Sequence, residues 1–307
     1  MSSHKILVTG AAGYIGSHSL VHLLNFGYEI VALDNCCNSV LLEHDSMPES
    51  LCRVERITDR KISGFYNADL NDRQTLLKIF SEHNISAVMH FASLKAVGES
   101  CKRPLGYYRN NVSGTLSLLE IMSEKNCKRL IFSSSATVYG NPEYLPIDEK
   151  HSTGRGCTNP YGKTKYFTEE ILKDLCTSDS DWSVISLRYF NPVGAHESGQ
   201  IGEDPNGVPS NLMPFISQVA VGRETHIKIF GNDFLTPDGT GVRDYIHIMD
   251  LAAGHVTTLN KLLETTDSIG LHFYNLGCGI GYSVLEVSFL QKTVFSVYLL
   301  YLIYNLK

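Results

Sequence analysis

The chain has 307 residues, enough for one large domain or two modest ones and for a substantial buried core. Its 26 Lys and Arg against 32 Asp and Glu give a formal net charge of -6, which implies no broad basic surface for nucleic acid and leaves any anionic ligand to local positive groups. Eight cysteines form no Cys-x-x-Cys pair and no Cys/His cluster at zinc-ligand spacing, so no metal is expected; without an N-terminal apolar leader they read as reduced thiols in a cytoplasmic protein, and the sequons at Asn84 and Asn111 carry no meaning.

Lys5-Ile6-Leu7-Val8-Thr9 is a short apolar run ending at glycines, and Ile15 to Phe26 follows with helical spacing: a strand, a tight turn and a helix. Gly10, Gly13 and Gly16 occupy that turn, where backbone N–H groups and the positive end of the helix dipole can hold a pyrophosphate. Alone, the spacing is equally that of a plain glycine-rich turn. The next run, Glu29 to Leu33, ends at Asp34, where a carboxylate accepts hydrogen bonds from an adenosine ribose and repels a 2′-phosphate, favouring NAD over NADP; a loop cap is the other reading. Asp69, after a third apolar segment, falls near the adenine or caps the helix expected from Asp72 to Glu82.

Further apolar runs at Ala87 to Phe91, Arg129 to Phe132 and Val184 to Arg188 alternate with helical stretches at Val112 to Ser123 and Tyr161 to Leu175. The alternation predicts an α/β fold with a doubly wound parallel sheet covered on both faces. Residues 191 to 211 hold three Pro and four Gly and read as a long loop bounding a smaller substrate-binding region. The expected division is 1–190 and 191–307, with 244–277, including a helix at Met249 to Leu263 and a strand at His272 to Leu276, returning to the large domain.

The run Phe132 to Gly140 leaves a strand end and sets Ser133, Ser134, Ser135 and Thr137 on the crevice side, though serines there also serve local backbone groups. Tyr161 and Lys165, four apart, share one helical face, so the ammonium can lower the phenol pKa from about 10 towards neutrality. Serine would fix a substrate hydroxyl, tyrosinate would take its proton and lysine would bind the nicotinamide ribose. With the glycine turn, this set predicts nicotinamide redox chemistry.

Six stretches carry a resemblance: Val8 to His18, His90 to Ser100, Ser133 to Gly140, Asn159 to Lys165, Arg188 to Pro192, and Asp238 to His247. On them the chain resembles the extended short-chain dehydrogenase/reductase family, of Rossmann fold, and within it the UDP-galactose 4-epimerases of animal type, as far as about Glu286. The resemblance implies a bound NAD that never leaves. Tyr161 would deprotonate the sugar's 4-hydroxyl while hydride passes from C4, and the 4-keto sugar would turn about its link to the pyrophosphate and be reduced on its other face. Tyr14, Ile15, Asp34, Asn35, Asn38, Asp69, Leu70, Phe91, Lys95, Lys165 and Tyr189 would line the cofactor. Ser135, Ala136, Thr137, Tyr189, Phe190, Asn191, Asn211, Leu212, Met213, Asn232 and Arg243 would face UDP-galactose or UDP-glucose, with UDP-N-acetylhexosamines as further candidates. A homodimer would form through helices at Pro104 to Lys125 and Tyr161 to Leu175, where Tyr107, Tyr108, Leu116, Leu118, Leu119 and Phe167 give more apolar surface than one helix stripe needs, though a fully buried helix gives the same excess.

Two other readings compete. Nucleotide-sugar 4,6-dehydratases share the first oxidation but carry an Asp-Glu pair after the hydroxyl residue, where this chain has Ala136 and Thr137. A dinucleotide-binding module without catalysis, or a catalytically impaired form, is the other, because past Glu286 the resemblance gives way to a divergent tail, 287–307, in place of the family's further UDP contacts. The tail's apolar stretch after Lys292 is about fourteen residues, short of the ~20 that span a membrane.

Overall fold

The computed structural model describes residues 4–41, 47–204, 209, 211–295 and 301–304. Strands β1 (Lys5–Thr9), β2 (Glu29–Asp34), β3 (Gly64–Asn67), β4 (Ile85–His90), β5 (Arg129–Ser135) and β6 (Ser183–Tyr189) alternate with helices α1 (Tyr14–Phe26), α2 (Glu49–Thr58), α3 (Arg73–Glu82), α4 (Val97–Lys102), α5 (Pro104–Tyr107), α6 (Gly114–Glu124) and α7 (Pro160–Ser178). After β6 come β7 (Asn191–Val193), α8 (Leu212–Ala220), β8 (Ile227–Phe230), β9 (Val242–His247), α9 (Ile248–Glu264), β10 (Gly270–Leu276), β11 (Gly281–Ser283), α10 (Val284–Phe295) and β12 (Tyr301–Tyr304).

Seven strands form one wholly parallel sheet in the order β10-β6-β5-β4-β1-β2-β3. The order reverses at β1, opening a crevice at the carboxyl ends of β1 and β4. The strands are apolar on both faces because helices cover both. In β1, Ile6 and Val8 join one core with Leu20, Leu23 and Leu251 from α1 and α9, while Leu7 joins the other with Leu76, Leu118 and Leu172 from α3, α6 and α7. The expected Rossmann architecture is the one observed.

A second, smaller region carries the sheet β11-β9-β7 and the pair β12-β8 around Ile216, Val219, Ile227, Ile229 and Val287. Residues of the expected tail take part here. Val287 lies in this core, and β12 pairs in parallel with β8 from Tyr301↔Ile227 to Tyr304↔Phe230. The expected helix at Val112 to Ser123 is also different in detail: Tyr108–Ser113 is a turn of π-helix feeding α6.

Candidate active site

A crevice of about 1760 Å³ runs between the carboxyl edge of the large sheet and the smaller region. Its floor at one end is the glycine turn. Gly10 has φ of 69°, and a Cβ there would stand 2.5 Å from Ala92 N; a Cβ on Gly16 would stand 2.2 Å from Gly10 O. These two positions therefore require glycine. Gly13, the first residue of the helix boundary, faces open space apart from Gly10 O at 3.4 Å, and α1 starts with no side-chain cap and no acidic residue in its first turn. The turn thus leaves free N–H groups and an uncrowded cradle at a helix N-terminus, which fits a diphosphate.

Asp34 ends β2 beside that turn. Its Oδ2 accepts from Ala12 N at 3.0 Å and its Oδ1 from Cys36 N at 2.9 Å. Burial raises its pKa, and these two amide hydrogen bonds oppose the rise. The carboxylate both pins the turn and lines the crevice, so the cap and ribose readings are compatible. Asp69 accepts from Asn71 N and Nδ2 and from Asn35 Nδ2 at 2.7–2.9 Å. Burial raises its pKa, but those hydrogen bonds outweigh it and the net shift is downward. The helix cap at this point is Asp72, whose Oδ1 accepts from Thr75 N. Tyr14, Ile15, Asn35, Asn38, Leu70, Phe91 and Lys95 line the same half.

At the middle of the crevice stand Ser135, Tyr161 and Lys165. Asn159 caps α7 through Gly162 N and Pro160 occupies its first turn, which aims the Tyr161/Lys165 face at the end of β5. Lys165 is buried, with Nζ donating to Ser133 O at 2.7 Å and lying 5.9 Å from the Tyr161 ring centroid. Burial lowers its pKa to about 7, against the raising effect of Glu169. The Tyr161 phenol is pushed up by burial, and the Ser135 hydroxyl pulls it partly back. The expectation that Lys165 lowers the phenol is therefore not met in this arrangement, because burial acts against both charges and the ammonium is turned to a carbonyl. Ser135 accepts from Thr137 N at 3.2 Å and Thr137 Oγ1 at 3.0 Å, closing a short turn at Ala136–Tyr139.

Tyr189, Phe190, Asn191, Asn211, Leu212, Met213 and Arg243 line the far half with Ala136 and Thr137. Tyr189 OH donates to His255 Nε2 at 2.5 Å, with the ring buried. Arg243 is exposed, its Nη1 donating to Val242 O at 2.8 Å, and no carboxylate pairs with it among the described residues. Asn232 is the exception to the expected set: it is exposed and does not line the crevice, and its carbonyl packs against Gly239, where a Cβ would stand 2.1 Å away. Two residues were not singled out from sequence. Asn111, noted only as a sequon, is buried in the π-turn and holds Leu94 N and O at 2.9 and 3.0 Å, fixing the loop that carries Lys95. Glu203 binds Lys95 from the proline- and glycine-rich loop. Among the described residues, no group of three or more His, Cys, Asp or Glu could hold a metal ion, and no helix is long and apolar enough to cross a membrane.

Residues 6–277 match the family described as the NAD dependent epimerase/dehydratase family. The chain is 58% identical to the UDP-glucose 4-epimerase of Drosophila melanogaster over 287 residues, 94% of this chain and 81% of that protein. Among solved structures it is similar to the UDP-glucose 4-epimerase of Bifidobacterium longum in complex with NAD+ and UDP, with a TM-score of 0.91 and 49% identity over 98% of this chain and 86% of that one. It is also similar to the enzyme of Stenotrophomonas maltophila with bound NAD and formylated UDP-arabinopyranose, with a TM-score of 0.89 and 44% identity over 99% and 87%. A glycine cradle, the Asp34 carboxylate beside it and a Ser-Tyr-Lys set in one crevice, together with this likeness over nearly the whole length, place the chain in the NAD dependent epimerase/dehydratase family, among the UDP-glucose 4-epimerases.

Proposed function

We propose that the chain interconverts UDP-galactose and UDP-glucose by inverting the sugar at C4 with NAD held in the crevice. The observation that carries this is that Tyr161, Lys165 and Ser135 line the same crevice as the glycine cradle and Arg243, a guanidinium with no carboxylate partner among the described residues. When bound, NAD supplies the acceptor and then the donor of the C4 hydride. As the tyrosinate, Tyr161 takes the proton of the 4-hydroxyl and returns it when the hydroxyl reforms, so the side chain ends each cycle as the tyrosinate it began. Ser135 offers its hydroxyl to the same sugar oxygen, and Lys165, on the same helix face as Tyr161 and held by Ser133 O, binds the nicotinamide ribose. Arg243 takes the UDP phosphates, and Asn191, Asn211, Leu212 and Met213 flank the nucleotide, leaving the sugar as the one unanchored end that can present either face.

A purified sample tests this directly. Mass analysis of the released cofactor should give NAD as the main species, and UDP-galactose should yield UDP-glucose. Absence of both results overturns the reading. No 4-keto-6-deoxy sugar should accumulate, since Ala136 and Thr137 follow Ser135 and offer no carboxyl proton donor for loss of water. In this reading residues 1–190 together with α9 and β10 act as a cofactor lobe, and the region carrying β7, α8, β8 and β9 acts as a substrate lobe. Two copies associate through α5, α6 and α7, where Leu105, Leu116 and Phe167 are exposed; sedimentation at micromolar concentration should show a dimer.

A further inference from the structure

Three side chains of the cofactor half reach across the crevice to one segment. Tyr14 OH donates to Gly194 O at 2.6 Å, Arg53 Nη1 to Gln200 O at 2.9 Å, and Lys95 Nζ to Glu203 Oε1 at 2.5 Å. They come from the start of α1, from α2 and from the loop after β4, so the segment 194–203 is fastened to three elements at the carboxyl edge of the large sheet. Glu203 differs from the other two anchors. The same Oε1 that holds Lys95 accepts from Asn211 Nδ2 at 2.8 Å, and Asn211 is the residue that opens α8. Asn211 makes no side-chain cap to its own helix; its amide is turned to Glu203 instead.

The Glu203 side chain is 11% exposed, and its charge adds to burial in raising the Tyr14 pKa beside the glycine turn. A carboxylate at the edge of a diphosphate site repels the ligand unless it is neutralised, and here the Lys95 ammonium does so. Its benefit must lie in what it joins. One oxygen ties a lysine on the cofactor side to the residue that immediately precedes a helix on the sugar side.

We propose that Glu203 is a positioning residue that couples the two halves of the crevice: by holding Lys95 and Asn211 on one oxygen it keeps segment 194–203 closed over the dinucleotide and ties cofactor retention to occupancy of the sugar half. The proposal rests on the NAD and UDP-sugar reading above. Occupation of the sugar half steadies α8 and Asn211, Asn211 steadies Glu203, and the segment stays shut. The coupling runs both ways, so loss of the latch weakens sugar-nucleotide binding as well as cofactor retention.

The test is the release rate of labelled NAD from the full chain into excess unlabelled NAD, with and without UDP, alongside steady-state turnover of UDP-galactose. In the unaltered chain UDP slows release. In Glu203→Ala release is about tenfold faster, the typical weight of one charge-assisted hydrogen bond, UDP no longer slows it, and KM rises more than kcat falls. A merely structural role would speed release and leave the UDP effect in place. Raising salt to about 1 M in the unaltered chain should also speed release, since Lys95 is partly exposed and screened, and should do so less in the variant. If the Ala variant does not fold, Glu203→Gln, of the same shape, gives the same changes in smaller measure. Release at the unaltered rate, or a UDP effect retained in the variant, overturns the coupling while leaving the functional reading intact. An unaltered chain that carries no NAD overturns the functional reading and this proposal with it.

Discussion

Tyr161 and Lys165 share one face of α7, yet Lys165 spends its hydrogen bond on Ser133 O and Tyr161 has only the Ser135 hydroxyl to oppose burial. Burial therefore holds the phenol's pKa up in this arrangement, and the contribution proposed for it is proton transfer. Tyr161→Phe should keep its NAD content and lose about two or more orders of magnitude in turnover; near-normal turnover would remove Tyr161 from the mechanism. Asp34 is tied to the backbone of both the turn and the next loop, so its removal affects more than a ribose contact. In Asp34→Asn one carboxylate oxygen becomes an amide NH2 that faces a backbone donor, and NAD retention should fall about tenfold or more, read by mass of the nucleotide carried through purification. Retention at the unaltered level would show that the turn holds without its carboxylate.

α7 is held to the sheet by a buried pair. Glu169 accepts from Arg188 Nε and Nη2 at 3.0 and 2.8 Å, from Ser134 Oγ at 2.6 Å and from Ser186 Oγ at 3.1 Å, while Arg188 Nη1 donates to Tyr139 OH at 2.9 Å. Glu169 lies one turn beyond Lys165, so this cluster fixes the helix that aims the catalytic face. Glu169→Ala leaves the Arg188 charge buried alone and should destabilise the fold by about 3–5 kcal/mol, seen as a large fall in the denaturant midpoint. A shift within the error of the measurement would mean that the pair adds nothing. The long elements were legible in the sequence because their patterns are local: β1, α1, α7 and α9 repeat apolar residues at fixed spacing over many positions. Short strands such as β3, β8 and β11 have too few residues for a period, and the π-turn at Tyr108–Ser113 looks in sequence like ordinary helix. Of the site, the glycine turn and the Tyr161/Lys165 pair were legible for the same local reason. Glu203 was not, since its partner lies 108 residues away, nor was the effect of burial on Tyr161 and Lys165, which only the folded walls of the crevice create.

Among the described residues, His90, His255 and His18 are buried in surroundings that favour the neutral imidazole. His90 sits between the hydroxyls of Thr9 and Thr115, His255 takes the Tyr189 hydroxyl on Nε2 with Nδ1 on Leu251 O, and His18 has Nδ1 on Tyr14 O. Burial lowers their pKa values to about 3, 4 and 4. A lowered folded value means that the unfolded chain binds these protons first. The stabilisation is fully present above the unfolded value near 6.5 and is lost as pH falls towards 4, on the order of 1 kcal/mol per pH unit for each group. The urea midpoint should therefore drop clearly between pH 7 and pH 5, and an unchanged midpoint would show that these imidazoles are not held neutral. The order of the large sheet has a further consequence, for the chain as it is made. β6, buried along all seven residues, has β5 on one side and β10 on the other, and β10 is translated some eighty residues after it, once β7, α8, β8, β9 and α9 have emerged. Until then the nascent cofactor half shows the ribosome's surroundings an open, apolar strand edge, the feature that invites a neighbouring chain to pair. Demand for chaperones during synthesis should be concentrated in that interval and end when Gly270–Leu276 docks.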